Sequence, residues 1–195
     1  NLGRLDQAEE SYTQAIVLKS DFVEARCNLG VTLKDLGRFD EAEANFAQAI
    51  TLERCYAEAH NNLGAMLKEL DRLQEAEASV RKAIVLGPDF AEAYSNFGTT
   101  LHELGRLDEA EAGYNQAIAL KPDFAEAYNN LGLTLKDVGR LDEAEASYHQ
   151  AIALRPNFAE AYNNLGITLR KLGLLDKAEA NYNQAKAIRP DFAEA

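Results

Sequence analysis

Tryptophan is absent, histidine occurs three times, and cysteine twice in 195 residues. Cys27 and Cys55 form no C-x-x-C pair and flank no His-rich tract, so neither a disulfide framework nor a zinc module is indicated. Reduced thiols in a cytoplasmic setting fit this usage. No run of about 18 apolar residues occurs, which excludes a membrane-inserted helix from the expectations. Basic residues are scarce, with 20 Lys and Arg against 32 Asp and Glu and a net charge of -12. Nucleic-acid binding draws chiefly on Lys and Arg neutralising phosphates, and anionic lipid makes the same demand, so neither is an expected partner. Catalytic signatures are lacking too: there is no G-x-S-x-G, no Walker loop and no H-E-x-x-H.

What is present is an apolar content of 47%, enough for a folded core, and a period. Residues 125–158 and 159–192 are identical at 23 of 34 places. With Ala125 as place 1, the chain divides into a half repeat (1–22), full repeats at 23–56, 57–90, 91–124, 125–158 and 159–192, and a stub at 193–195. The expectation is therefore one array spanning 1–195, with no separate domain and no linker. It begins and ends inside a repeat, which predicts a fragment of a longer array.

Leu or Phe at place 7, Gly at 8, Leu at 11, Ala at 20, an aromatic at 24 and Ala at 27 recur at helical spacing. They predict two amphipathic helices per repeat, over places 1–14 and 18–31. Gly37, Gly105, Gly139 and Gly173 at place 15 suit a left-handed residue after the first helix, and Pro88, Pro122, Pro156 and Pro190 stop the second. Asp123 with Glu126, and Asp142 with Glu145, read as capping boxes. Twenty-five of the 32 acidic residues fall at places that open helices, so the net charge reads as a by-product of helix starts. Asp71 in place of Gly and Arg54 in place of Pro predict lost regularity between Arg54 and Asp71. The aromatics read as core in the seams between helices rather than as a ligand-stacking platform.

The run Tyr128-x2-Leu131-Gly132-x2-Leu135, Ala144-x3-Tyr148 and Pro156 resembles the tetratricopeptide repeat (TPR) signature, and the resemblance covers all 195 residues. A unit of two helices cannot cover its own apolar face, so neighbours must stack into a solenoid. The resemblance adds an all-α fold, a right-handed superhelix whose first helices line a concave groove, with places 2, 5, 6, 9, 12 and 13 facing it.

Along those places Asn holds place 6 in all five repeats: Asn28, Asn62, Asn96, Asn130 and Asn164. Asn is a mediocre helix former, up to about 0.7 kcal/mol worse than Ala per position, so a column of five wants a reason. A carboxamide both donates and accepts, so it can hold a peptide group's N–H and C=O together. The competing reading is that each amide faces water or bonds a neighbouring helix and ties the repeats. Place 5 adds Asn61, Asn129 and Asn163, and place 12 a basic row of Lys34, Lys68, His102, Lys136 and Arg170. Asp35, Glu69, Glu103 and Asp137 at place 13 cancel much of that row's field locally. The Asn column resembles the asparagine ladder of O-linked N-acetylglucosamine transferases, which implies amides that hold an acceptor polypeptide.

His60, His102 and His149 fall on different helical faces, and Cys27 with His60 supplies too few ligands for zinc. No metal, cofactor or chemistry of the chain's own is expected. The sequence thus predicts a protein-binding solenoid holding an extended or helical partner segment. It serves as a substrate-presenting array for a glycosyltransferase-like or other modifying domain beyond this fragment. The alternative is a scaffold that assembles through its ends and convex face. Apolar end faces predict head-to-tail self-association, weakened by Lys186 where other repeats carry Ile.

Overall fold

The computed structural model describes residues 2–53 and 56–190, with Leu2 described by its backbone alone. Arg54, Cys55 and the terminal 193–195 stub lie outside the described residues. Among the described residues the chain is entirely helical: α1 (Leu2–Leu18), α2 (Val23–Asp35), α3 (Phe39–Leu52), α4 (Ala57–Glu69), α5 (Leu73–Leu86), α6 (Ala91–Glu103), α7 (Leu107–Leu120), α8 (Ala125–Asp137), α9 (Leu141–Leu154), α10 (Ala159–Lys171) and α11 (Leu175–Ile188). First helices are 13 residues long and occupy places 1–13; second helices, apart from the 17-residue α1, are 14 long and occupy places 17–30. The first helix starts at its expected place; its end and both ends of the second helix come one place early.

The turn inside each repeat explains the place-15 residue. After α2 the Gly37 N–H donates to the Lys34 carbonyl (2.8 Å) and the Arg38 N–H to the Leu33 carbonyl (2.9 Å), the paired bonds of a Schellman motif. That motif needs a left-handed residue, and Gly37, Gly105, Gly139 and Gly173 take φ of 76°, 75°, 84° and 78°. Asp71 takes φ 59° in the same motif: its N–H donates to the Lys68 carbonyl and the Arg72 N–H to the Leu67 carbonyl, at 2.9 Å each. The expected irregularity is therefore absent from Ala57 to Asp71; the turn geometry overrides the side chain. Because a Cβ is disfavoured at that φ, Asp71→Gly is expected to raise the unfolding free energy by about 1 kcal/mol. A urea midpoint that moves up with an unchanged slope would show it; an unmoved midpoint would mean the Asp side chain offsets its own strain.

The expected capping boxes do not form. The N-cap residues of α8 and α9 are Phe124 and Arg140, neither with a side-chain cap hydrogen bond. Asp123 precedes the cap and Asp142 already lies within α9. The neighbouring place-19 glutamate bonds arginine: Arg140 Nε donates to Glu143 at 2.7 Å, as Arg38 does to Glu41 (2.7 Å) and Arg72 to Glu75 (2.8 Å). The same guanidinium reaches the place-21 glutamate of the preceding repeat, with Arg38–Glu9 and Arg72–Glu43 at 2.7 Å and Arg140–Glu111 at 2.6 Å. The arginine hydrogen bonds hold the carboxyls of Glu41, Glu75 and Glu143 below the usual carboxylate range. Six glutamates are thus held in a regular ladder by three arginines, half of the pairs joining successive second helices.

The chain forms two compact units, Asn1–Thr100 and Leu101–Ala195, with the division inside α6 rather than between repeats. In the first, Val23, Cys27, Leu33, Phe46 and Met66 form a continuous core flanked by Tyr12, Phe39 and Leu63, followed by a smaller cluster of Val80, Ala83 and Ala93. In the second, Ala125, Ala151, Phe158 and Ala161 pack with Tyr128 and Ile152. Alanines at places 3, 20 and 27 of the five full repeats are buried, which lets neighbouring helices approach closely.

Candidate functional site

The first helices carry the predicted site residues, and the structure shows where the amides go. In the first unit Asn96 Nδ2 donates to Asn61 Oδ1 at 2.9 Å, and Asn62 Nδ2 to Cys27 Sγ at 3.3 Å. In the second unit Asn164 Nδ2 donates to Asn129 Oδ1 at 3.0 Å. Each bond joins place 6 of one repeat to place 5 of the repeat before it. Asn61 and Asn129 are accordingly only 6% and 8% exposed, and Cys27 is buried. Asn163 is half-buried. Burial pushes the Cys27 thiol above its ordinary range, against the opposing hydrogen bond from Asn62, so it is an inert core cysteine. Asn129 Nδ2 also bonds Asn130 Oδ1 at 3.2 Å. Asn28 is exposed, and Asn62, Asn96, Asn130 and Asn164 are half-buried.

Each tie uses one N–H. A second N–H and the carbonyl oxygen of Asn62, Asn96 and Asn164 remain on half-exposed side chains whose orientation the seam bond sets. Next to them on place 9, Val31, Ala65, Thr99, Leu133 and Ile167 are half-buried. Below, the place-10 threonines turn inward: Thr32, Thr100, Thr134 and Thr168 donate to the place-6 carbonyls of Asn28, Asn96, Asn130 and Asn164 at 2.9–3.0 Å.

The basic row follows the same repeat-to-repeat rule. Lys34 Nζ lies 3.1 Å from Glu69 and 3.5 Å from Asp35. His102 Nε2 lies 3.1 Å from Asp137, which Lys136 also approaches at 3.4 Å. For Lys34, burial favours the neutral amine, but the hydrogen bond and charge of Glu69, helped by Asp35, outweigh it and raise the ammonium's pKa. Lys68 is half-buried. Arg170 is exposed beside Lys171, a basic residue where earlier repeats carry acid at place 13, so local positive charge concentrates at the end of α10.

The sequence reading missed the place-16 arginine ladder and the pairing of place 5 with place 6. Both have a signal in the sequence: complementary residue types 29 or 35 positions apart, visible once the repeat is treated as a lattice rather than a column. Among the described residues no group of three His, Cys, Asp and Glu is placed to hold a metal ion. No helix among them is long and apolar enough to cross a membrane.

None of the curated proteins matches this chain. Several solved structures do. MamA is 27% identical, with 86% of this chain and 98% of that chain covered at a TM-score of 0.72. YrrB, a TPR protein with an unusual peptide-binding site, is 25% identical over 94% of both chains at 0.69. TTC0263, a thermophilic TPR protein of Thermus thermophilus, is 26% identical over 86% of this chain and 92% of that one at 0.75. A TPR repeat model matches residues 1–37 and 98–139, and tetratricopeptide repeat models match 27–91, 80–112 and 123–191. The matches run through both units, and the chain belongs to the tetratricopeptide repeat family.

Proposed function

We propose that this array is a protein-interaction module that holds an extended or helical partner segment along its first helices. The observation that carries the reading is the set of half-exposed amides, Asn62, Asn96 and Asn164, fixed in orientation by seam bonds. Unfixed side chains must be ordered on binding, at about 0.5–1.5 kcal/mol each; these amides have already lost that freedom. The bland reading of the Asn column, a tie between repeats, is thus what makes the peptide-clamping one effective. Asn28, Asn62, Asn96, Asn130 and Asn164 touch the partner backbone; Cys27, Asn61 and Asn129 orient Asn62, Asn96 and Asn164 in turn, and the half-buried Asn163 lies beside Asn164. The place-9 row offers apolar contact, and Arg170 with Lys171 favours an acidic residue on the partner. Lys34, Lys68, His102 and Lys136 contribute to the rim in a charge-balanced form.

YrrB supports this reading, since a relative of comparable length carries a peptide-binding site on the same fold. Within it, the array presents protein substrates to a glycosyltransferase-like or other modifying domain. The scaffold alternative is favoured by exposed apolar side chains on the second helices, Val17 and Val85 at 79% each and Leu18 at 89%. Nucleic acid is not a partner in either reading.

The two roles of the amides separate by mutation. In a binding assay with a library of unstructured peptides, replacing Asn130 and Asn164 together by Ala is expected to weaken binding about tenfold at unchanged helicity. Asn129→Ala, which frees Asn164 without removing it, is expected to weaken binding less. Equal binding by all variants would sink the clamp. Light scattering that responds to Lys186→Ile and not to the Asn changes would favour the scaffold.

A further inference from the structure

Three departures from the repeat pattern meet at one hollow in the first unit. A pocket of about 520 Å³ is lined by Ile50 and Thr51 of α3, His60 of α4, and Arg81, Lys82, Val85 and Leu86 of α5. It lies away from the amide row, between successive second helices, with the place-4 residue of the intervening first helix in its wall. In three other repeats place 4 is tyrosine, Tyr94, Tyr128 and Tyr162, each half-buried, and Tyr128 packs on the core of Ala125, Ala151, Phe158 and Ala161. In the first full repeat place 4 is Arg26, whose guanidinium reaches out to bond Gln48 and the Ser20 carbonyl, the latter at 2.9 Å. His60 is shorter than either, and it is buried.

The walls depart from the pattern as well. Place 26 is glutamine in Gln14, Gln48, Gln116, Gln150 and Gln184, but lysine at Lys82; place 25 is arginine only at Arg81. Arg81 is committed, 2.8 Å from Glu77 and with its guanidinium 4.6 Å from the centre of the Phe97 ring. Lys82 is exposed and has no ion pair among the described residues. Burial and then the Lys82 charge push the His60 imidazole down, so at neutral pH that wall is uncharged. The hollow therefore offers an aromatic-sized space with Ile50, Val85 and Leu86 around it and one open ammonium at its edge.

We infer that this pocket is a binding site for a small aromatic carboxylate, its ring taking the space left where other repeats carry tyrosine and its carboxylate meeting Lys82. The volume falls in the range of about 300–1,000 Å³ typical of small-ligand sites, and an apolar lining with one placed charge is their usual chemistry. The charge is the opposite of the chain's net -12, which marks it as local rather than a general property of the surface.

The probe is 3-phenylpropionate, titrated into the isotopically labelled chain and followed by amide and side-chain NMR shifts, with 3-phenylpropanol as its uncharged counterpart. The acid is expected to shift His60, Val85 and Leu86 with Kd of about 1 mM, and the alcohol to bind several-fold more weakly. His60→Tyr and Lys82→Gln each install the residue that other repeats carry at that place, so both are expected to fold. His60→Tyr should lower affinity for the acid at least tenfold, and Lys82→Gln should abolish the preference for acid over alcohol. Undiminished binding by the His60→Tyr variant, or shifts centred away from these residues, would overturn the assignment. So would tighter binding of the capped dipeptide Phe-Glu than of the free acid, which would give the pocket to a partner's side chain instead.

Discussion

Replacing Gly64 by alanine is expected to lower the unfolding free energy by about 2 kcal/mol, although alanine improves intrinsic helix propensity by about 1 kcal/mol. A Cβ on Gly64 would collide with a Val80 methyl and stand 3.2 Å from the Ala76 carbonyl oxygen and 3.3 Å from the Val80 nitrogen. In other repeats the collision is with an aromatic ring: 2.7 Å from Phe46 at Gly30, 2.7 Å from Tyr148 at Gly132 and 2.6 Å from Tyr182 at Gly166. The two helices of a repeat thus close down on whatever fills place 24, large or small. A smaller residue there leaves no room for a methyl on the first helix. Phe46 and Tyr148 are fully buried and have nowhere to swing, and the backbone beside Gly64 has no rotamer to change. The helices must separate instead, and that forfeits dispersion contacts along the seam. Urea unfolding of Gly64→Ala should show a lower midpoint at unchanged slope; a midpoint equal to the parent's would mean that the pair slides apart at no cost. Gly139→Ala is a contrast, because nothing lies near its Cβ position and its loss comes only from φ 84°.

The helix pairs were legible in the sequence because burial imposes a spacing that local reading detects: small residues at places 3, 20 and 27, and an apolar residue at 24, aromatic except at Val80. The turn at place 15 was legible for the same reason at four glycines, and Asp71 shows the limit, since a turn fixed by two backbone bonds tolerates a residue the rule disfavours. The acids were misread. Composition near a helix start suggests capping, but whether a carboxylate caps or pairs depends on what stands beside it, and the place-16 arginine wins at Glu41, Glu75 and Glu143. The amide column was found and its geometry was not. A column within one chain reports which places are alike; it does not report that place 6 meets place 5 of the repeat before, as Asn96 meets Asn61. The pocket beside His60 shows the converse. His60 and Lys82 each depart from the residue that other repeats carry at their places, and only the fold brings the two to one hollow.

Phe46→Ala should be the most costly single change, at about 3–5 kcal/mol. The ring is fully buried, lies against Gly30 of α2, and belongs to the core that runs from Val23 to Met66 with Tyr12 and Leu63 at its margins. Its removal takes away the transfer energy of a benzyl group and leaves a cavity that cannot collapse. Gly30 has no side chain to lean in, and the surrounding Ala42 and Ala49 are already at close approach. In a stack where each repeat touches only its neighbours, stability is a sum of local terms, so the damage should be local too. Native-state hydrogen exchange is expected to show faster exchange in α2 and α3, less change in α4, and none in α8 and α9. The reciprocal change at the same place of another repeat, Tyr148→Ala, should invert that map. Uniform acceleration across all the helices by either variant would show instead that the two units unfold as one cooperative block. The positions of the seam amides would then depend on every repeat at once, and a clamp built from local ties would lose its physical basis.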